Sequence, residues 1–318
     1  MGRPRASRAK PGMPADTPRV RPVSPLQAML RRHNIRLKKS LGQNLLLDDN
    51  IHRIMVEGAD ITADDAVIEV GAGLGALTKH LAAVAGRLLA VEIDRSFMPA
   101  LEEQFGTMPH VHLFRGDILN HPLEELVTTY LAGASNYKMV SNLPYYITTP
   151  ILFHFLESSV PFSVLVVMVQ AEVAQRMSAV QGSKDYGVLT LALRCYGEVD
   201  LMRKVPATCF KPRPEVDSSV VRIRMFPPDK RPVENPTAFM RVVRGAFSQR
   251  RKMLLNALTG SLGLSKDIVE GALLQVNIAP QRRAETVSFE EFQALSHILS
   301  RYITGNSHSA TVRGKITA

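Results

Sequence analysis

Long apolar runs are missing from this chain. The longest, SVLVVMV at 163–169, is far short of the ~20 residues that a membrane-spanning helix needs, and the Arg-rich start lacks the apolar core of a signal peptide. A soluble, cytoplasmic protein without a membrane partner is expected. Cysteine is almost as scarce, Cys195 and Cys209 being the whole complement. Two thiols do not make a four-ligand zinc site and nothing points to an oxidising compartment, so free thiols and no metal are expected. Acidic residues are nearly absent from the N-terminal end and are outnumbered about two to one at the C-terminal end. Residues 1–39 hold eleven Lys or Arg against one Asp, residues 40–202 nine against nineteen, and residues 203–318 nineteen against nine.

The net charge of +10 is thus made of blocks of +10, −10 and +10. Such a division suits ends that meet a polyanion and a middle that handles something neutral or cationic. Solvated Arg-rich tails would give the same count. Charge by itself does not identify RNA.

What is present is length and rhythm. At 318 residues the chain suits one large domain plus a smaller one. Residues 1–24, with five prolines among scattered arginines, read as a disordered basic arm. From 66 to 170 apolar strands alternate with amphipathic helices: AVIEV, ALTKHLAAVAG, RLLAVEID, FMPALEEQF, VHLFRGD, LEELVTTYL, YKMVSN, PILFHFLES, SVLVVMVQ, with the helix EVAQRMSAV following. That alternation predicts an α/β fold, a doubly wound parallel sheet with helices on both faces and ligands beyond the carboxyl ends of the strands. YGVLTLALRCYG is a helix or strand, and VDLMRKV and SSVVRIRMF are strands that finish the sheet, so this domain spans 25–230. From 231 to 305 only helices are expected, over PTAFMRVVRGAFSQRRKMLLNAL, KDIVEGALLQV and SFEEFQALSHILSRY, the last opened by a capping box of Ser288 and Glu291. Residues 306–318 form a flexible tail.

The first strand ends in GAGLGALT, where Gly71 and Gly73 let backbone amides approach a ligand. Glu92 ends the second strand, followed by Ile93, and Asp117 ends the third, followed by Ile118. Gly71, Gly73, Ala76 and Glu92 also fit a dinucleotide pattern, and Glu92 would hold a ribose diol in NAD as well as in another nucleoside. Asp117 is placed to accept a hydrogen from an adenine amino group. A further carboxylate suits a sulfonium better than a pyrophosphate, because the cofactor then brings positive charge. These strand ends lean towards S-adenosylmethionine.

The fourth strand ends in SNLPYYITTP, residues 141–150. Asn142 offers a carboxamide oxygen, and Leu143 a carbonyl whose direction is set by Pro144. Two such acceptors suit the two hydrogens of an exocyclic amine. Tyr145 offers a stacking face for an extruded base. Tyr146 is expected as an aromatic at the start of a buried helix, and Thr149-Pro150 as that helix's N-cap and first residue.

NLPYY resembles the [ND]-[LIP]-P-[YF] motif of amino-group methyltransferases. The surrounding chain, from about Arg32 to Tyr302, is similar to the KsgA-type rRNA adenine dimethyltransferases. The resemblance rests on LKKSLGQNLL, GAGLGALT, VEIDR, GDIL, NLPYYITTPIL, MVQAEVAQRM, YGVLTLAL, FKPRPEVDSSVVR, FSQRRKMLLNAL and RAETVSFEEF in that order. It implies a Rossmann-like class I methyltransferase domain with a small helical C-terminal domain, and S-adenosylmethionine as cofactor. The expected substrate is a pair of adjacent adenosines near the 3′ end of small-subunit rRNA in an immature 30S-type particle, dimethylated at N6 by a monomeric enzyme. By the same resemblance Gln43, Asn44 and Leu46 close over the methionine part of the cofactor, which Gly71, Gly73, Glu92, Ile93, Asp117, Ile118 and Asn142 also meet. The loop Phe210, Pro212, Pro214, Val216, Asp217 and Ser218 brings Phe210 as a second stacking face opposite Tyr145. Leu45 departs from the family's usual Phe. Lys38, Lys39, Lys211 and Arg213 are candidate phosphate contacts, as are Arg250, Arg251 and Lys252 on the first C-terminal helix. Three other readings remain open: an Erm-type enzyme acting on a large-subunit adenine, a binding protein without catalysis, and an NAD dehydrogenase.

Overall fold

The computed structural model describes residues 25–38 and 42–303; the expected arm at 1–24, the tail at 306–318 and Lys39 lie outside them. The chain divides into two compact units between Arg36 and Leu37. In the first, helix α1 (Pro25–Arg32) is closed by the Ile35 N–H, which donates to the Leu30 carbonyl at 2.8 Å.

The second unit carries the alternating pattern. After a two-residue strand β1 (Leu45–Leu46) and helix α2 (Asp49–Gly58) come β2 (Asp65–Val70), α3 (Ala76–Ala82), β3 (Arg87–Glu92), α4 (Met98–Phe105) and β4 (Val111–Arg115). Then follow α5 (Leu123–Tyr130), β5 (Asn136–Asn142), α6 (Thr148–Leu156), β6 (Phe162–Gln170), α7 (Ala171–Met177), α8 (Val188–Tyr196), β7 (Gly197–Val205), β8 (Phe210–Lys211) and β9 (Ser218–Met225). The main sheet has seven strands in the order β4-β3-β2-β5-β6-β9-β7. The five from β4 to β6 are parallel, as expected, and β9 pairs antiparallel with both β6 and β7. The segment left open between helix and strand, YGVLTLALRCYG, is helix α8, buried on nearly all sides. Every residue of β2 is buried, as a central parallel strand covered on both faces requires. Because β2 lies between β3 and β5, the chain order reverses at the β2–β5 pair, and a crevice opens there beyond their carboxyl ends.

Four helices follow: α9 (Pro236–Phe247), α10 (Leu254–Leu262), α11 (Lys266–Gln275) and α12 (Phe289–Ile303). Their starts obey local rules. The Asn235 side chain accepts from the Ala238 N–H at 3.0 Å with Pro236 at the first position, and Ser288 and Glu291 exchange the two expected bonds at 3.1 and 2.7 Å. The single helix expected over residues 236–258 is two. The two pack back on one another closely: a side chain at Gly245 would lie 2.5 Å from Ser261 Oγ. The chain reverses through Ser248–Met253, and Leu254 N–H donates to the Arg282 carbonyl at 2.7 Å. Arg250, Arg251 and Lys252 therefore sit exposed on a turn rather than on a helix. Apolar side chains from β2 at Ala66 to α12 at Ile303 form a single buried cluster. Among the described residues no helix is long and apolar enough to cross a membrane.

Candidate active site

At the carboxyl end of β2 the chain turns through Gly71, Gly73 and Gly75, with φ of +81°, +56° and +81°. These left-handed angles favour glycine, and at Gly75 a side chain would also strike Phe105 at 2.5 Å. The Gly71 N–H donates to the Val91 carbonyl at 2.8 Å, tying the loop to β3. Glu92 secures it further: its Oε2 accepts from Gly73 N–H and its Oε1 from Asp94 N–H, both at 2.8 Å. Burial raises the pKa of Glu92. Behind it lies Glu69, 1% exposed, whose carboxyl is pushed up to about 8 by burial and by the charge of Glu92. Thr78 tempers that rise without a well-formed hydrogen bond, since both Glu69 Oε2 and Thr78 Oγ1 are buried without a partner among the described residues. Beside Glu92, Ile93 is exposed, and Asp117 uses one oxygen to cap the turn Ile118–Asn120 through Leu119 N–H at 3.0 Å.

The GQN segment is held by a residue that the motifs alone did not single out. Gln43 Nε2 and Lys38 Nζ donate to the two oxygens of Asp94 at 2.9 and 2.8 Å, and Lys38 N–H donates to Gln43 Oε1 at 2.6 Å. Burial works against the ionised Asp94, but the bonds from Lys38, Ser96 and Gln43 hold its pKa down at about 2. Asp94 followed by Ser96 was the available signal, as an Asp that accepts from the residue two on. Lys38 is thus engaged inside the site. Leu45 and Leu46 pair antiparallel with Lys211 and Phe210, which latches this segment to the FKPRP loop. A side chain on Gly73 would meet Leu45 at 3.5 Å, so Leu45 packs over the glycine loop, where the family's Phe was expected near the entrance.

The tip of β5 completes the crevice. A Cβ on Gly71 would lie 3.7 Å from both the Asn142 carbonyl and Pro144. Asn142 Nδ2 turns towards the Asn44 carbonyl at 3.5 Å, and the carboxamide oxygen has no hydrogen-bond partner among the described residues. Leu143 is buried and anchored by its N–H to the Met168 carbonyl at 3.2 Å, so its own carbonyl has a set direction. Tyr145 reaches Ser218, their hydroxyl oxygens 2.6 Å apart, and burial raises its pKa.

Three expectations need correction or narrowing. Helix α6 does not start at a Thr149 cap: Thr148 is its first residue and donates its hydroxyl to the Pro144 carbonyl at 3.0 Å, so Pro150 is the third helical residue. Tyr146 is not buried. It is 53% exposed, packs against Gly42, and has its pKa raised by partial burial and then by the charges of Asp117 and Glu92. The turn Tyr145–Ile147 is a 3₁₀ turn, in which successive side chains are rotated by a third of a revolution; Tyr145 therefore faces in and Tyr146 out. Phe210 is only 4% exposed and belongs to the β8 pairing, so little of its ring faces outward. Lys211 and Arg213 are exposed.

A family model described as ribosomal RNA adenine dimethylase matches residues 34–301. The chain belongs to the ribosomal RNA adenine dimethylase family. It is 47% identical over 276 residues to the ribosomal RNA small subunit methyltransferase A of Moorella thermoacetica, covering 86% of this chain and 96% of that one. The corresponding protein of Clostridioides difficile is 42% identical over 276 residues, 87% and 95% of the two chains. Among solved structures, the Plasmodium falciparum dimethyladenosine transferase has the same fold, with a TM-score of 0.66 at 22% identity over 81% of this chain and 98% of that one. The 23S rRNA methyltransferase ErmE superposes with a TM-score of 0.57 at 25% identity, over 81% of this chain and all of that one.

This dimethylase is thus a Rossmann-like class I methyltransferase that uses S-adenosylmethionine to dimethylate adenine in ribosomal RNA. The residues present fit that cofactor. The glycine loop leaves open backbone beside Asn142, Ile93 offers an exposed apolar face, and Glu92 and Asp117 place carboxylates at the ends of β3 and β4, suited to a cofactor that brings positive charge.

Proposed function

We propose that this chain dimethylates N6 of two adjacent adenosines in the 3′-terminal hairpin of small-subunit rRNA, acting as a monomer on an immature 30S-type particle. The observation that carries the reading is the tip of β5. Asn142 and Pro144 lie against Gly71 where the strand order reverses, and the Tyr145 hydroxyl is held by Ser218. Two relatives with the small-subunit name cover nearly their full lengths, which favours the small subunit.

When bound, S-adenosylmethionine supplies a methyl group on a positively charged sulfur. Gly71, Gly73, Glu92, Ile93, Asp117 and Ile118 hold the nucleoside part, and Gln43, Asn44 and Leu46 close over the methionine part. Asn142 Oδ1 and the Leu143 carbonyl accept the two amino hydrogens of the target adenine. Held out of plane, the amine localises a lone pair that the ring would otherwise delocalise. Tyr145 stacks on the extruded base, with Phe210 behind the loop that faces it. The chain's contribution to rate is position and charge complementarity, and no strong base is needed, because the methylated ammonium loses its proton readily. An unpaired hairpin loop offers bases that can be splayed onto such a platform. Lys211, Arg213, Arg250, Arg251 and Lys252 meet phosphates, with Lys38 reserved for Asp94.

Purified protein given S-adenosylmethionine and undermethylated 30S particles will add two methyl groups to each of two neighbouring adenosines, read by mass spectrometry of the rRNA 3′ end. Asn142→Ala will lower transfer by ~10²-fold or more while still binding the particle. Transfer to a large-subunit adenine instead, or none to either RNA by the wild-type protein, overturns the reading.

A further inference from the structure

Outside the crevice, α2 and α3 bring together Asp49, His52 and His80. Each offers one ligand atom, and these atoms all lie within 4.8 Å of one another. The two imidazoles are stacked, centroids 5.7 Å apart and 29° between planes. His80 Nε2 is already 2.6 Å from Asp49 Oδ1, while Asp49 Oδ2 takes a bond from Arg53 at 2.9 Å. His52 is 5% exposed, and its Nδ1 is buried without a hydrogen-bond partner among the described residues. A buried ring nitrogen with nothing to bond calls for a missing partner. None of the three residues takes part in the proposed chemistry.

We propose that Asp49, His52 and His80 form a binding site for a zinc-class transition-metal ion that bridges α2 and α3. Two imidazoles and a carboxylate, with water in the fourth position, are a common donor set for a tetrahedral ion of this class. Metal–nitrogen and metal–oxygen bonds of ~2.0–2.2 Å bring tetrahedral ligand atoms to ~3.3–3.5 Å from one another. Small side-chain rotations of exposed Asp49 and part-exposed His80 towards His52 supply that contraction, and Asp49 keeps Oδ2 for Arg53. The bound ion replaces the His80–Asp49 hydrogen bond, and His80 keeps its ring proton on Nδ1. Helix α2 follows the segment containing Gln43 and Asn44, and α3 follows the glycine loop. An ion there ties together the two helices that leave the cofactor crevice.

The test uses untagged full-length protein stripped with a chelator and titrated with zinc chloride alone, followed by calorimetry and thermal melting. Wild type is expected to bind one zinc per chain at micromolar or lower concentration and to melt at a higher temperature with zinc. His80→Ala and Asp49→Asn, both at part-exposed or exposed positions, are expected to weaken that binding by at least ~10-fold and to lose the rise in melting temperature. Wild-type affinity no tighter than millimolar, or the same zinc affinity in both variants, overturns the proposal and leaves the His52 nitrogen to a buried water.

Discussion

Tyr145 and Tyr146 are neighbours in the chain and face opposite ways, one towards Ser218 at the start of β9, the other towards Gly42 and the carboxylates of Asp117 and Glu92. Their types are identical, so nothing in their identity distinguishes a stacking ring from an outward one; the 3₁₀ turn does. Glu69 illustrates the same limit from the inside. In sequence it is the polar letter of VIEV, and only its complete burial beside Glu92 makes it a neutral acid. Its folded-state pKa of about 8 lies above the ordinary value of 4.5, so its contribution to stability is fully present below pH 4.5 and is lost as pH rises through 8. Glu69→Gln removes that loss, which runs at ~1.4 kcal/mol per pH unit at most within the window. Urea melts at pH 5 and pH 8 will show a smaller drop in stability for the variant than for wild type. Parallel drops would mean that Glu69 is ionised in the folded protein.

At the scale of elements, β2 and β5 meet at both ends for different reasons. At their carboxyl ends Gly71 and Asn142 form the crevice. At their amino ends Lys138, 6% exposed, donates to Asp65 at 2.9 Å and to the Asp60 carbonyl at 2.6 Å. Asp65 also accepts from Thr62, and these partners outweigh burial and keep its pKa low. A lysine inside YKMV breaks the apolar pattern of the strand, and the pattern alone offers no reason for it. Lys138→Met will leave Asp65 buried without its cation and lower unfolding stability by ~3 kcal/mol, the lower end for a broken buried pair because Thr62 and Asn136 remain. Chemical denaturation measures it, and a loss under ~1 kcal/mol would mean that water or the backbone already neutralises the site. The pairing of β1 with β8 belongs to this scale too. Two residues each are too short to announce strands, yet they latch the GQN segment to the FKPRP loop.

For the whole molecule, the division of charge survives folding in a particular form. The acidic middle supplies Glu92 and Asp117 to the strand ends, while Arg250, Arg251 and Lys252 stand exposed on the reversal between α9 and α10. Arg250 also donates to the Lys184 carbonyl, which holds the turn against the main domain's 178–187 loop. If the three cations meet phosphates together, changing all three to Ala flattens the slope of log affinity against log salt by ~2 to 3. Filter binding to a 3′-terminal rRNA hairpin across a salt series reads this, and an unchanged slope would place the RNA elsewhere.

By itself the sequence determined what depends on local order: the alternation of strands and helices, the glycine loop, the capping box at Ser288, and the ordered motifs that mark the family. Those are set by residues a few positions apart, where periodicity and turn chemistry act directly. Tertiary structure alone decided which distant residues meet. Asp94 became the anchor of Lys38 and Gln43, Ser218 the partner of Tyr145, and the segment expected as one helix over 236–258 folded as two, which brings Gly245 against Ser261. His52 and His80, 28 positions apart, stack only because α2 packs on α3. Such contacts join residues far apart in the chain, and their geometry exists only once the core has closed.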